Sequence, residues 1–172
     1  RKAYVESAVS RANMDRNAAL AQDAIATLIA SALQLPAGDE NRFAMFQTVS
    51  EVREQFLLSR YQVRAYIAAP NPTTEKAARQ QLDSAVASLE RLNSHFATDA
   101  GDTLRTLTRT MEQYQQALEL YASTDNTIIA TRKDMTEYGT SILGISYELY
   151  KIQLERRDIE SAAANSMQLI TT

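Results

Sequence analysis

The chain has 172 residues, a formal net charge of -3, and neither Cys nor Trp. That length fits one domain able to bury a core without staples. The missing Cys excludes disulfides, thiol catalysis and thiolate metal sites, and leaves the redox compartment undecided. The acidic balance argues against a general nucleic-acid binder. Only four Gly and three Pro occur, against many Ala, Leu, Gln, Glu and Arg, which is a helix-rich composition. No stretch approaches the roughly 18 apolar residues of a membrane span, and no signal peptide is visible. The chain starts with Arg1-Lys2-Ala3-Tyr4-Val5, already helical in character, and stops at Met167-Gln168-Leu169-Ile170-Thr171-Thr172, where an apolar run is starting. We expect from this an excised piece of a larger protein whose flanks include membrane spans.

Helix breakers cluster in three places: Pro36-Ala37-Gly38-Asp39, Pro70-Asn71-Pro72 and Asp99-Ala100-Gly101-Asp102. Each combines residues that stop helices and start turns, and three turns make four helices. The first helix runs to about Leu33, with Leu20, Ala24, Ile25, Leu28, Ile29, Ala32 and Leu33 at helical spacing. Its earlier half, Ser10 to Asn17, is polar nearly all round, either a solvated start or one wall of a polar pocket. The second helix spans about Glu40 to Ala69 and is ended by Pro70 and Pro72. The third opens with Thr73 or Thr74 as N-cap and Glu75 in the first turn. Its seam, Ala78, Leu82, Ala85, Leu89, Leu92 and Phe96, alternates four- and three-residue steps as bundle helices do. The fourth starts near Asp102 with the seam Leu104, Leu107, Met111, Tyr114, Leu118 and Tyr121. No decisive stop follows, so one long helix from about 102 to 170 is expected.

These lengths predict an all-α chain: an antiparallel four-helix bundle over residues 1–130, with the fourth helix continuing past it over residues 131–172. At about 1.5 Å per residue the continuation adds about 60 Å. Its seam of Ile142, Ile145, Leu149 and Ile152 needs a cover, for which a second subunit, a homodimer, is expected.

The chemistry centres on the second helix. Val49, Val52, Phe56, Val63 and Ile67 read as one apolar stripe, and Arg60 falls between Phe56 and Val63 with Arg64 one turn on. A guanidinium facing a core cannot shed its charge and needs an anionic partner. That partner is either an acid on another helix or a bound anion. Two Arg one turn apart can converge on one carboxylate. Counting back from the Pro70 turn places Arg60 level with Arg11 and Asn13 on the first helix, Gln81 on the third, and Tyr114 and Tyr121 on the fourth. The competing readings are a buried salt bridge for the arginines and ordinary core closure for the two tyrosines.

The segment Arg60-Tyr61-Gln62-Val63-Arg64-Ala65-Tyr66, then Pro70-Asn71-Pro72, then Lys76-Ala77-Ala78-Arg79-Gln80-Gln81-Leu82, resembles the helical bimodular type of sensor domain of bacterial chemoreceptors and sensor kinases. Gln113-Tyr114-Gln115-Gln116-Ala117-Leu118 adds to the likeness, which covers about residues 45–125. In that family two four-helix bundles are stacked end to end and share long helices. The chain is too short for two complete bundles, so residues 131–172 represent only part of a membrane-proximal module. The resemblance implies a periplasmic domain of an inner-membrane receptor that binds a small organic acid and passes a signal through helix displacement. The expected ligand-binding residues are Arg60, Arg64, Tyr61, Tyr114, Tyr121, Arg11, Asn13 and Gln81. A structural spacer without a ligand, its Arg residues paired with Glu or Asp, is the alternative.

The single histidine, His95, lacks the accompanying ligands of a metal site and is read as a surface or packing residue. Arg156-Arg157-Asp158 reads as a solvated helix face. No nucleophile-base-orienter set and no Gly-rich phosphate loop is visible, so neither catalysis nor a cofactor nor a metal is expected.

Overall fold

The computed structural model describes residues 2–96 and 101–170, and these form four α-helices: α1 (Lys2–Gln34), α2 (Glu40–Ala68), α3 (Pro72–Phe96) and α4 (Gly101–Ile170). Among the described residues there is no strand. By contacts the chain divides into two units, residues 1–126 and 127–172. The antiparallel bundle lies in the first unit, and the long fourth helix expected from the sequence is one uninterrupted element.

Two of the three turns are described, and local chemistry fixes both. Asp39 is extended (φ -76°, ψ 121°), and its Oδ1 accepts a hydrogen bond from the Asn41 amide at 2.8 Å, capping α2. The cap of α3 is Asn71 rather than Thr73 or Thr74. Its Oδ1 accepts from the amides of both Thr73 and Thr74 at 3.0 Å, while Pro72 takes the first helical position, where a missing N–H costs nothing. Thr74 closes the motif, its Oγ1 donating to the Ala69 carbonyl at 2.8 Å. The expected break at Asp99 and Ala100 lies outside the described residues. Gly101, which opens α4, has φ +28°, a value that side-chain-bearing residues rarely adopt.

The core of the first unit is built from four stripes. Those of α3 and α4 are the ones the 3.6-residue period predicts: Ala78 through Phe96 and Leu104 through Tyr121 are all buried. On α1 the stripe is offset. Ser10, Met14, Ala18, Ala21, Ile25, Leu28 and Ala32 are buried, whereas Leu20 and Leu33 lie exposed on its flank. At 18 and 21 the buried residues are alanines, so this part of the α1 stripe carries little bulk. Two aromatic contacts cross the core edge-on: Phe56 to Tyr114, with ring centroids 5.5 Å apart, and Tyr66 to Tyr121, at 5.7 Å.

On α2 the buried positions are Met45, Val49, Val52, Phe56, Ser59, Val63 and Tyr66. This corrects the sequence reading. The core place between Phe56 and Val63 belongs to Ser59, fully buried, with its hydroxyl donating to the Phe56 carbonyl at 2.7 Å. Arg60 is one residue, about 100°, further round and only half-buried. Likewise Tyr66, not Ile67, fills the last core position, while Ile67 packs at its edge.

Polar side chains tie the helices at the surface. Arg79 bridges Glu75 of its own helix and Glu119 of α4, Arg91 pairs with Glu51 of α2, Gln81 Nε2 donates to Gln55 Oε1 at 2.7 Å, and Asn93 donates to Thr108 at 3.0 Å. Such exposed ion pairs contribute about 0–1 kcal/mol each, so apolar burial and the turn chemistry hold the bundle.

The second unit is described by itself. Met135, Tyr138, Ile142, Ile145, Leu149 and Ile152 are each more than half exposed there, and all six lie at alternating three- and four-residue steps along α4.

One core atom lacks a partner among the described residues. The Tyr66 hydroxyl is buried without a hydrogen bond. An unsatisfied buried hydroxyl destabilises the fold, so Tyr66→Phe keeps full stability and gains up to about 1 kcal/mol in a urea titration. A loss of stability on that substitution would mean that the hydroxyl holds a water.

Candidate functional site

The four turns of α2 before Pro70 run beside the N-terminal half of α1, and between them opens a cavity of about 480 Å³. Residues four apart on one helix share a face. That spacing brings Arg60 and Arg64 of α2 into the lining, and Arg11 and Asp15 of α1 opposite them. Tyr114 of α4 closes the inner end, while Met14, Ala18, Val63 and Ile67 supply an aliphatic wall. The polar stretch of α1 is thus a pocket wall, and it is helical throughout.

Of the eight residues named from the sequence, the cavity gathers four: Arg11, Arg60, Arg64 and Tyr114. The other four lie elsewhere. Tyr61 points to solvent on the outer face of α2 and is 69% exposed. Gln81 faces Gln55 across the α2–α3 seam. Tyr121 is spent on the ring contact with Tyr66. Asn13 lines a second, open groove of about 540 Å³ between α1 and α4, together with Arg16, Asn17, Arg109, Gln113 and Gln116. Counting levels from the turn brought Arg11, Arg60, Arg64 and Tyr114 together, but Tyr121 meets Tyr66 and Gln81 meets Gln55, and the count carries no information on which way a side chain points around the axis.

Asp15 was missed. Its signal was present, since it stands four residues after Arg11 and so shares that residue's face. Glu51 and Glu119 are committed elsewhere, Glu51 to Arg91 and Glu119 to Arg79. Among the described residues none of Arg11, Arg60 and Arg64 is ion-paired within 4.0 Å, with Asp15 or any other acid. The cavity therefore presents three guanidinium groups with no close counter-charge. Arg60 is half-buried at its rim, and Arg11 and Arg64 reach it from exposed positions, their stems lying along apolar surface.

Tyr114 reports the field inside. Burial pushes its hydroxyl up to about 12; Arg60 and Arg64 pull it down and Asp15 pushes it up. All three charges thus act on one buried phenol. Being neutral at any ordinary pH, that phenol is available to donate to an anion. Burial also raises Tyr66 and Tyr121.

No cluster of His, Asp and Glu suited to a metal ion occurs among the described residues. His95 is exposed, its Nδ1 2.8 Å from the Arg91 carbonyl oxygen. Arg156 pairs along its own helix with Glu160. No described helix is long and apolar enough to cross a membrane.

Residues 1–164 match the family model of the helical bimodular sensor domain. The chain is also 35% identical, over all 172 of its residues, to the methyl-accepting chemotaxis protein McpS of Pseudomonas putida. It spans 27% of that receptor's length.

The tyrosine field has a measurable consequence at alkaline pH. In the unfolded chain the phenols ionise near 10.0, whereas in the fold Tyr114 stays neutral to about 12. The burial of that neutral phenol therefore stabilises the fold fully below pH 10 and ceases to do so as pH rises toward 12. Urea midpoints should fall over that interval, and less steeply in Tyr114→Phe. Equal slopes in the two proteins would show that Tyr114 does not carry the effect.

Proposed function

The chain belongs to the helical bimodular sensor domain family, and we propose that it senses a small carboxylate held in the α1–α2 cavity, with Arg60 as the main anchor. A sensing domain, not an enzyme, is what the family and the chemotaxis relative indicate. The observation that carries the ligand reading is the convergence of Arg11, Arg60 and Arg64 on one cavity without an ion-paired acid. Three guanidinium groups face a single carboxylate, Asp15, which pairs with none of them, so an anion from outside is the natural partner. The neutral Tyr114 hydroxyl at the inner end adds a donor.

The magnitudes are sufficient. Charge-assisted hydrogen bonds contribute about 1.5–3 kcal/mol each before ordering costs, and two or three reach micromolar affinity. A ligand that bridges α1 and α2 favours one spacing of these helices over others. Shifts of 1–2 Å between packed helices are an ordinary signalling movement. In the proposed receptor, α4 carries that shift out of the sensing unit toward a membrane span, the domain lying outside the cytoplasm. The exposed apolar residues of the second unit are proposed to be covered in a homodimer.

Two measurements test this. Arg60→Ala should abolish calorimetric binding of small organic acids and leave the helical circular dichroism unchanged. Binding undiminished in that variant places the site elsewhere, and unfolding assigns Arg60 a structural role. Sedimentation should show a concentration-dependent dimer that weakens in Ile142→Asp. A monomer at high concentration, with residues 131–167 protected from hydrogen exchange, overturns the dimer.

A further inference from the structure

The cavity holds one group that a plain carboxylate leaves unused. Asp15 stands on the same face of α1 as Arg11 and lines the same space as Arg60 and Arg64, yet within 4.0 Å it pairs with none of the three. Its charge and those of Arg60 and Arg64 all act on the Tyr114 hydroxyl, so they border a common volume. Guanidinium and carboxylate groups held apart across a cavity leave room for a ligand whose two ends differ in character. An anionic end satisfies the arginines. The end facing Asp15 meets a carboxylate that only accepts hydrogen bonds. A second ligand carboxylate there would be repelled, a methyl group would leave Asp15 unserved, and a hydroxyl or ammonium would donate to it. The wall of Met14, Ala18, Val63 and Ile67 suits the short hydrocarbon frame between such ends.

We propose that Asp15 reads a hydrogen-bond donor on the ligand, so that the site selects hydroxy- or amino-substituted carboxylates over unsubstituted mono- and dicarboxylates. This rests on the cavity being the carboxylate site, and it assigns Asp15 as a specificity-determining residue within it. Donation to an ionised acceptor is among the stronger hydrogen bonds, and its loss costs about tenfold or more in affinity.

The test is calorimetry of the intact chain with lactate, alanine, propionate and succinate, repeated on Asp15→Ala and on Arg60→Ala. Asp15 is exposed in the cavity mouth and makes no ion pair, so its replacement leaves the fold intact, which circular dichroism checks. The proposal expects lactate or alanine to bind about tenfold or more tightly than propionate and succinate, and Asp15→Ala to erase most of that margin. A margin for lactate identifies a hydroxyl as the donor, and one for alanine an ammonium. Propionate binding as tightly as both, or Asp15→Ala changing all four affinities by the same factor, overturns the role of Asp15 while leaving the carboxylate site standing. Heats that Arg60→Ala does not alter, or no heat from any of the four acids, overturn the site itself and the role of Asp15 with it.

Discussion

A serine decides where the arginines of α2 go. Ser59 occupies the core place between Phe56 and Val63 and satisfies its hydroxyl on its own helix, at the Phe56 carbonyl. A helix turns about 100° per residue, so once Ser59 faces inward, Arg60 and Arg64 are fixed on the flank toward α1. Were Arg60 itself the core residue, a full charge would have to be buried, at a cost that only a close acid could offset. The phase of one stripe thus separates the two tasks of α2. Its apolar face builds the bundle, and the adjoining edge, free of that task, presents charge to a cavity.

The opposite wall follows the same logic. α1 buries small residues, Ala18 and Ala21, where the other helices bury Phe, Tyr and Leu. The flank bearing Arg11 and Asp15 lines a common cavity with Arg60 and Arg64 of α2. The interhelical ion pairs Arg79–Glu119 and Arg91–Glu51 stand on α3, away from this seam. Glu51 and Glu119 are therefore engaged at other seams, and Asp15 is left as the one acid lining the cavity. This gives the family membership its physical content: a bundle that is complete as a fold while one of its seams remains incomplete as a charge distribution.

Much of this was legible in the order of residues. Strong periodicity gave α3 and α4 their stripes residue for residue, because Leu, Met, Phe and Ala at alternating three- and four-residue steps admit one phase. The breakers located the turns, although the cap fell to Asn71 rather than a threonine, since Pro72 already occupies the first helical position. α1 and α2 were harder. Their stripes include Ser10, Ser59 and Ala residues that carry little hydropathy contrast, so a window starting from the largest apolar side chains chose Leu20 and admitted Arg60 in place of Ser59. The candidate site suffered from the same ambiguity. Height along a bundle can be counted from a turn, which found Arg11, Arg60, Arg64 and Tyr114 together. Azimuth cannot be counted when the stripe is weak, and so Tyr61 and Asn13 were drawn in and Asp15 left out, whereas on α3 and α4 the stripes were clear and Gln81 and Tyr121 are engaged with Gln55 and Tyr66 instead.

The placement of charge also separates how the molecule responds to its medium. Its interhelical ion pairs are solvent-exposed, where mobile ions screen them within about 8–10 Å at moderate ionic strength and where they contribute little in any case. The bundle rests on apolar burial, which added salt does not weaken. An anion of the proposed kind would, by contrast, be drawn to the cavity arginines through water, and that attraction fades as ionic strength rises. Where ionic strength fluctuates, such a domain would keep its shape, and if the proposed anion site operates, the same ligand concentration would be felt more strongly in dilute surroundings than in brine.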